Sequence, residues 1–209
     1  MTLSQWESLL EEKKAPPARL LNDDARKTLI DTFKDLKRQI ILEVYTKEDV
    51  NVPYNQLAVQ FVKELSEIEP RIVGKYFLAD DERAKAMNVS RTPTILLDPE
   101  RYNIRYTGAP AGEEGRSFIE AIVMTSRDES NLSAKAKKAL SLLKDKRHIQ
   151  IFVTAACPYC PIEVVTAFGC AIERPDLISA ECIESAENID LARKYNVGSV
   201  PQTVINGKT

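Results

Sequence analysis

One pattern occurs twice in this chain, and that repetition limits its fold more than any other feature. Residues 83–98, RAKAMNVSRTPTILLD, resemble residues 191–207, LARKYNVGSVPQTVING. Asn88, Val89 and Pro93 stand 108 positions before Asn196, Val197 and Pro201. Upstream, RQIILEVYT (38–46) parallels RHIQIFVTA (147–155). Both are short and rich in Ile, Val and aromatic residues, the composition of buried strands. Each leads into a helical run, NQLAVQFVKELSEI or PIEVVTAFGCAIE, and then a further apolar run, RIVGKYFLA or LISAECI. A short amphipathic helix, a turn and a proline-led strand close each copy.

The unit reads helix, strand, helix, strand, helix, strand. In the first copy YNIRYTG (102–108) adds a strand, with Gly108 permitting the turn before Pro110, and EGRSFIEAIVMTS (114–126) adds a helix. The leading helices are DARKTLIDTFKDLK (24–37) and SAKAKKALSLLKDK (133–146), the second with Ser133 as N-cap and Ala136, Leu140 and Leu143 on one face. Strands alternating with helices predict an α/β fold of two tandem units, each a central sheet flanked by helices. The expected divisions are an N-terminal helical extension over 1–23, a unit without cysteines over 24–126, and a unit with cysteines over 133–209. The linker SRDESNL is short and polar, which predicts units that pack against each other. The first unit runs about 30 residues past Pro93, the second only eight past Pro201. On the repeat, the second unit is expected to be truncated after its proline-led strand. Its open sheet edge would then be covered by a partner or by a second copy in an oligomer.

With 209 residues and a formal net charge of −2, the chain gives no reason to expect nucleic acid or an anionic membrane as partner. Its start, MTLSQWESLLEEKKAPPARLL, is not a secretory signal, and Trp6 and the other aromatics show no stacking pattern. No apolar run approaches a membrane span, so a cytoplasmic location is the expectation. The single histidine, His148, opens a strand, where a surface position is expected.

All four cysteines, Cys157, Cys160, Cys170 and Cys182, lie in the last quarter of the chain. The first two fall in TAACPYCPIEVV, between a strand and a helix. Pro158 is expected at the first helical position, and Pro161 still within the first turn. Cys157 then lies beside unpaired helix N–H groups at the positive end of the dipole, which favours the thiolate. Cys160 shares that helical face and suits a resolving thiol. Zinc would need two further ligands in a suitable spacing, and there is no second C-x-x-C. A purely structural disulfide across two intervening residues closes too small a loop to stabilise much. Redox chemistry is the preferred reading, with no metal or organic cofactor. Cys170 and Cys182 read as small core hydrophobes.

With Pro201 added, 41 residues after Cys160, this half resembles the thioredoxin–glutaredoxin family. CPYC is the glutaredoxin form of the active-site sequence, and VGSVPQTVING resembles the family's cis-proline strand. The resemblance implies units with mixed central sheets and a cis Val200–Pro201 bond. It also implies a substrate-binding surface of Pro158, Tyr159, Val200 and Pro201, where the Val200 backbone pairs with an extended peptide. From about Asp24 the tandem chain is similar to the glutaredoxin-like protein disulfide oxidoreductases. It is also similar to the N-terminal module of the alkyl hydroperoxide reductase flavoprotein, in which only the second unit keeps its cysteines.

The implied activity is dithiol–disulfide exchange at Cys157 and Cys160 on protein disulfide substrates. The alternative is an electron-transfer module between a flavoprotein reductase and a peroxiredoxin; from another class, a non-catalytic peptide-binding module. Two departures qualify the resemblance. The first unit has no thiol: a constant offset puts Asp49 and Val52 at the cysteine positions, and matching NQL puts Asn51 and Tyr54 there. It keeps Thr92–Pro93, so a groove without chemistry is expected. The aspartate that thioredoxins bury six residues before the first cysteine is here Ile151. Glu181 is the weak alternative acid, expected to be a solvated strand residue.

Overall fold

A computed structural model describes residues 19–209. Residues 1–18 of the expected N-terminal extension, Trp6 among them, lie outside the described residues, and residues 19–22 are not helical. The first unit runs α1 (Asp23–Phe33), β1 (Ile40–Thr46), α2 (Val52–Ile68), β2 (Ile72–Leu78), α3 (Glu82–Ala86), β3 (Thr94–Leu97), β4 (Ile104–Thr107) and α4 (Glu114–Arg127). The second runs α5 (Ala134–Ser141), β5 (Arg147–Val153), α6 (Cys160–Glu173), β6 (Ile178–Glu184), α7 (Ile189–Lys194) and β7 (Gln202–Ile205).

The repeat is preserved in backbone detail. Helices α2 and α6 begin 108 residues apart, and both Thr92–Pro93 and Val200–Pro201 are cis. Asn88 and Asn196 take matching left-handed turns at φ 53° and 50°, as do Asp98 and Asn206 at 46° and 50°. Short polar side chains tolerate that region. The leading helices also end alike. Arg71 donates to the carbonyls of Phe33 and Leu36, and Arg174 to those of Leu140 and Leu143. Each guanidinium adds a side-chain donor to carbonyls at and just past the helix end, a region in which the last turn lacks helical N–H partners. Helix α5 stops at Ser141 rather than reaching Lys146.

The seven strands form one sheet in the order β2-β1-β3-β4-β6-β5-β7. Within the units, β1 and β5 run parallel to β2 and β6 and antiparallel to β3 and β7. The units join by parallel pairing of β4 with β6, from Ile104 opposite Ala180 to Thr107 opposite Ile183. They therefore share a sheet, a closer union than a short linker alone implies. Strand alternation sorts the core. Ile151, Val153, Ala180 and Cys182 face the main cluster under α2, α4 and α6, whereas Phe152, Ile183 and Val204 pack on the other face under α7. Helix α4 of the first unit packs along α6 of the second. Among the described residues no helix is long and apolar enough to cross a membrane.

Candidate functional site

Strand β5 ends at Val153, and a turn over Thr154–Tyr159 carries the chain into α6. The Cys157 N–H donates to the Thr154 carbonyl at 3.0 Å and holds Cys157 in this turn. Helix α6 consequently begins at Cys160, and Pro158 lies in the turn rather than at the first helical position. Pro161 is the second helical residue, where the absent N–H interrupts no helical bond. Cys157 and Cys160 form a disulfide with Cα atoms 5.5 Å apart. The first N–H of the helix, that of Cys160, donates to Cys157 Sγ at 3.2 Å. The sulfur thus does the work that a serine or aspartate oxygen does at an N-cap.

Cys157 is 7% exposed and Cys160 fully buried. Tyr159 and Ile162 stand out from the same turn and first helical turn at 73% and 71% exposure. Gln202 of β7 pairs with Phe152, which brings Pro201 and Val200 alongside the residues leading to Cys157. Pro158 and Tyr159 lie between the two cysteines, and Val200 and Pro201 immediately precede β7 on the β5 side of the sheet.

In the first unit the constant offset holds: Val52 opens α2 as Cys160 opens α6, so Asp49 and Val52 occupy the cysteine positions. Asn51 adopts φ 51°, and its side-chain amide donates to the Thr92 carbonyl at 2.8 Å. Thr92 is buried. The Thr92 carbonyl beside Pro93 is thus engaged from within the unit.

Glu181 departs from expectation. It is buried, accepting from Thr107 Oγ1 at 2.5 Å and Gln150 Nε2 at 3.0 Å, with His148 Nε2 at 3.4 Å. Burial alone would raise its pKa, but the His148, Thr107 and Gln150 hydrogen bonds and the Arg105 charge hold it below the ordinary value. Alternation puts it on the sheet face opposite Cys182 and the cysteine pair, so it is removed from their chemistry. The unit junction covers a strand position that would be solvated in a single unit. His148, partly exposed, also contacts Ser179 Oγ at 2.8 Å.

Two buried acids lie on the cysteine face: Glu184 at the end of β6, opposite Val153, and Glu114, the first residue of α4, fully buried. Its Oε2 accepts from Ser117 Oγ at 2.7 Å and lies 3.8 Å from Cys182 Sγ, while its Oε1 has no hydrogen-bond partner. Burial raises its pKa, the Ser117 and Cys182 contacts lower it, and Glu184 and Glu113 add to the rise. Cys182 pairs with Ile151 across β6 and β5. The first unit thus supplies a carboxyl to the neighbourhood in which the second has only isoleucine. Nothing in GEEG marks this glutamate, because acids at helix starts are ordinarily solvated. Cys182 is fully buried and Cys170 partly so, and burial raises the pKa of both thiols. Among the described residues no cluster of three or more His, Cys, Asp and Glu side chains could hold a metal.

This geometry has relatives. A thioredoxin domain model matches residues 147–209. A thioredoxin of Methanocaldococcus jannaschii is 37% identical over 62 residues, covering 30% of this chain and 73% of that protein. The crystal structure of a protein disulfide oxidoreductase from Aeropyrum pernix superposes with TM-score 0.81 at 32% identity, over 90% of this chain and 84% of that one. A mutant form of the alkylhydroperoxide reductase AhpF of Enterococcus faecalis superposes with TM-score 0.81 at 25% identity, over 90% and 91%. With a disulfide at the strand-to-helix turn, a thioredoxin relative and a protein disulfide oxidoreductase that superposes over both units, the chain belongs to the thioredoxin-like protein disulfide oxidoreductases and is an enzyme of thiol–disulfide exchange.

Proposed function

We propose that Cys157 is the attacking thiol and Cys160 the resolving thiol, within a catalytic unit spanning 133–209 beside a thiol-less unit spanning 24–126. The observation that carries this is the Cys160 N–H directed at Cys157 Sγ, which favours a thiolate on Cys157, together with the complete burial of Cys160. In the reduced protein the Cys157 thiolate attacks one sulfur of a protein disulfide. That S–S bond breaks, the displaced sulfur takes a proton, and a mixed disulfide remains. Cys160 then loses its proton and attacks Cys157 Sγ, releasing the second substrate thiolate and leaving Cys157–Cys160 oxidised. Glu114 is the proton acceptor we assign to Cys160: it is a fully buried carboxyl on the cysteine face whose Oε1 has no hydrogen-bond partner. Tyr159, Pro158 and Pro201 form the substrate surface, and the Val200 backbone pairs with the extended peptide.

A Cys157→Ser variant assayed for insulin-disulfide reduction with dithiothreitol tests this. Activity is expected to fall to the dithiothreitol background, and full retention contradicts the assignment.

A second reading is favoured by the absence of thiols in the first unit and the likeness to the alkylhydroperoxide reductase. Here the Cys157/Cys160 pair relays electrons from a flavoprotein reductase to a peroxiredoxin. Rapid reduction of a peroxiredoxin disulfide, in preference to insulin, is the expected outcome. Equal rates with both would leave the general oxidoreductase in place.

A further inference from the structure

We propose that the thiol-less unit is a positioning clamp on the active-site turn of its neighbour, acting through Gly112 and Glu113 on Ala155. Ala155 lies two residues before Cys157. Its carbonyl accepts from the Glu113 N–H at 3.0 Å, a bond that crosses from one unit to the other. Gly112 has φ +58°, and a Cβ placed there would stand inside the contact distance of the Ala155 oxygen, 3.1 Å from its carbonyl carbon and 3.3 Å from its Cβ. Only a residue without a side chain lets the loop come this close.

The clamping loop is itself anchored. The Gly108 N–H donates to the Pro93 carbonyl at 2.9 Å, and the Ala109 N–H to Glu187 Oε1 at 3.0 Å. Glu114, next after Glu113, is fully buried. The turn is thus held at two carbonyls: Thr154 by the Cys157 N–H from within, and Ala155 by the first unit. Together they set where Cys157 Sγ sits relative to the Cys160 N–H. Hydrogen bonds weaken steeply with misalignment, so a displaced turn stabilises the thiolate less. This gives a unit without thiols a part in the chemistry, and it rests on Cys157 being the attacking thiol.

The test compares Gly112→Ala and Gly112→Asn with Gly115→Ala. Asparagine tolerates positive φ, so Gly112→Asn isolates the Cβ contact from backbone strain. A Cβ at Gly115 would meet only the Pro110 carbonyl oxygen, at 3.8 Å, which makes it the control. The readouts on reduced protein are the pH profile of Cys157 alkylation, mapped by mass spectrometry, and the equilibrium with glutathione. The Gly112 variants are expected to alkylate about tenfold more slowly at acid pH, the loss of roughly one charge-assisted hydrogen bond. Their profiles move to higher pH and their glutathione equilibrium moves toward the disulfide, while Gly115→Ala matches the parent protein.

Folded Gly112 variants with the parent profile and equilibrium overturn the clamp. If neither variant folds, hydrogen exchange on the parent protein decides. A Glu113 amide protected in both redox states supports the clamp, and one exchanging at the rate of a free amide overturns it. Failure of the parent protein to exchange disulfides through Cys157 would sink the functional reading. Parent exchange with unaltered Gly112 variants would sink the clamp alone.

Discussion

Cys182 Sγ lies 3.8 Å from Glu114 Oε2, so a thiol on the second unit's β6 meets a carboxyl on the first unit's α4 with both side chains fully buried. Burial keeps that carboxyl above the usual carboxylate range, where it accepts a proton more readily than an exposed glutamate. Glu114→Gln is therefore expected to slow Cys160-dependent resolution of the mixed disulfide by roughly 100-fold, the scale of a lost general base. The first attack by Cys157 should be unaffected. Stopped-flow traces that resolve the two steps check this, and equal slowing of both would assign Glu114 a structural role.

Glu187 accepts from the Ala109 N–H, and its pKa is pushed up to about 7 from 4.5, chiefly by burial, with Glu184 adding to the rise. Between those values the folded protein binds the proton more tightly than the unfolded chain. Stability must therefore fall as pH rises through the window. Glu187→Gln keeps a side-chain acceptor for Ala109 and removes the charge. Discounted for partial solvent exposure, it should recover on the order of 1 kcal/mol above about pH 7 and nothing near pH 4. Melting temperatures across that range measure the difference, and a pH-independent offset would contradict it.

Phe118 of α4 sits edge-on between Phe61 and Tyr106, with ring centroids 5.9 and 6.0 Å away. It is fully buried, so Phe118→Ala creates a cavity in the first unit's core beside the unit junction. A loss of about 3–5 kcal/mol is expected in urea unfolding. A loss below about 1 kcal/mol would show that the site collapses around the missing ring.

Asn51 combines a left-handed backbone with the hydrogen bond to the Thr92 carbonyl. Asn51→Ala forfeits both and should cost about 2 kcal/mol of stability. Disulfide exchange is expected to continue at the parent rate, because Asn51 bonds to Thr92 and Asn55 and not to the 112–114 loop that meets Ala155. A fall in exchange rate exceeding the loss of folded protein would give the first unit's turn a part in the chemistry.

The repeated Asn-Val and proline positions carry much of this fold in plain view, because local turn chemistry and strand composition act at short range. The cysteine pair is equally legible, since C-x-x-C between a strand and a helix is a local arrangement. What the sequence hides depends on the junction. The β4–β6 pairing buries Glu181, which a single unit would expose, and carries it to the face away from the cysteines. The same union brings Glu114 to Cys182 over 68 residues of sequence. Helix α6 starts two residues later than the prolines alone suggest, because the Cys157 N–H bonds back to Thr154.

The most direct test of the exchange mechanism is a trap. Cys160→Ser should accumulate mixed disulfides with protein substrates, and peptide mapping should find every one attached through Cys157. Attachment through Cys170 or Cys182, or no adduct under conditions in which the parent protein reduces the same substrates, would contradict the account.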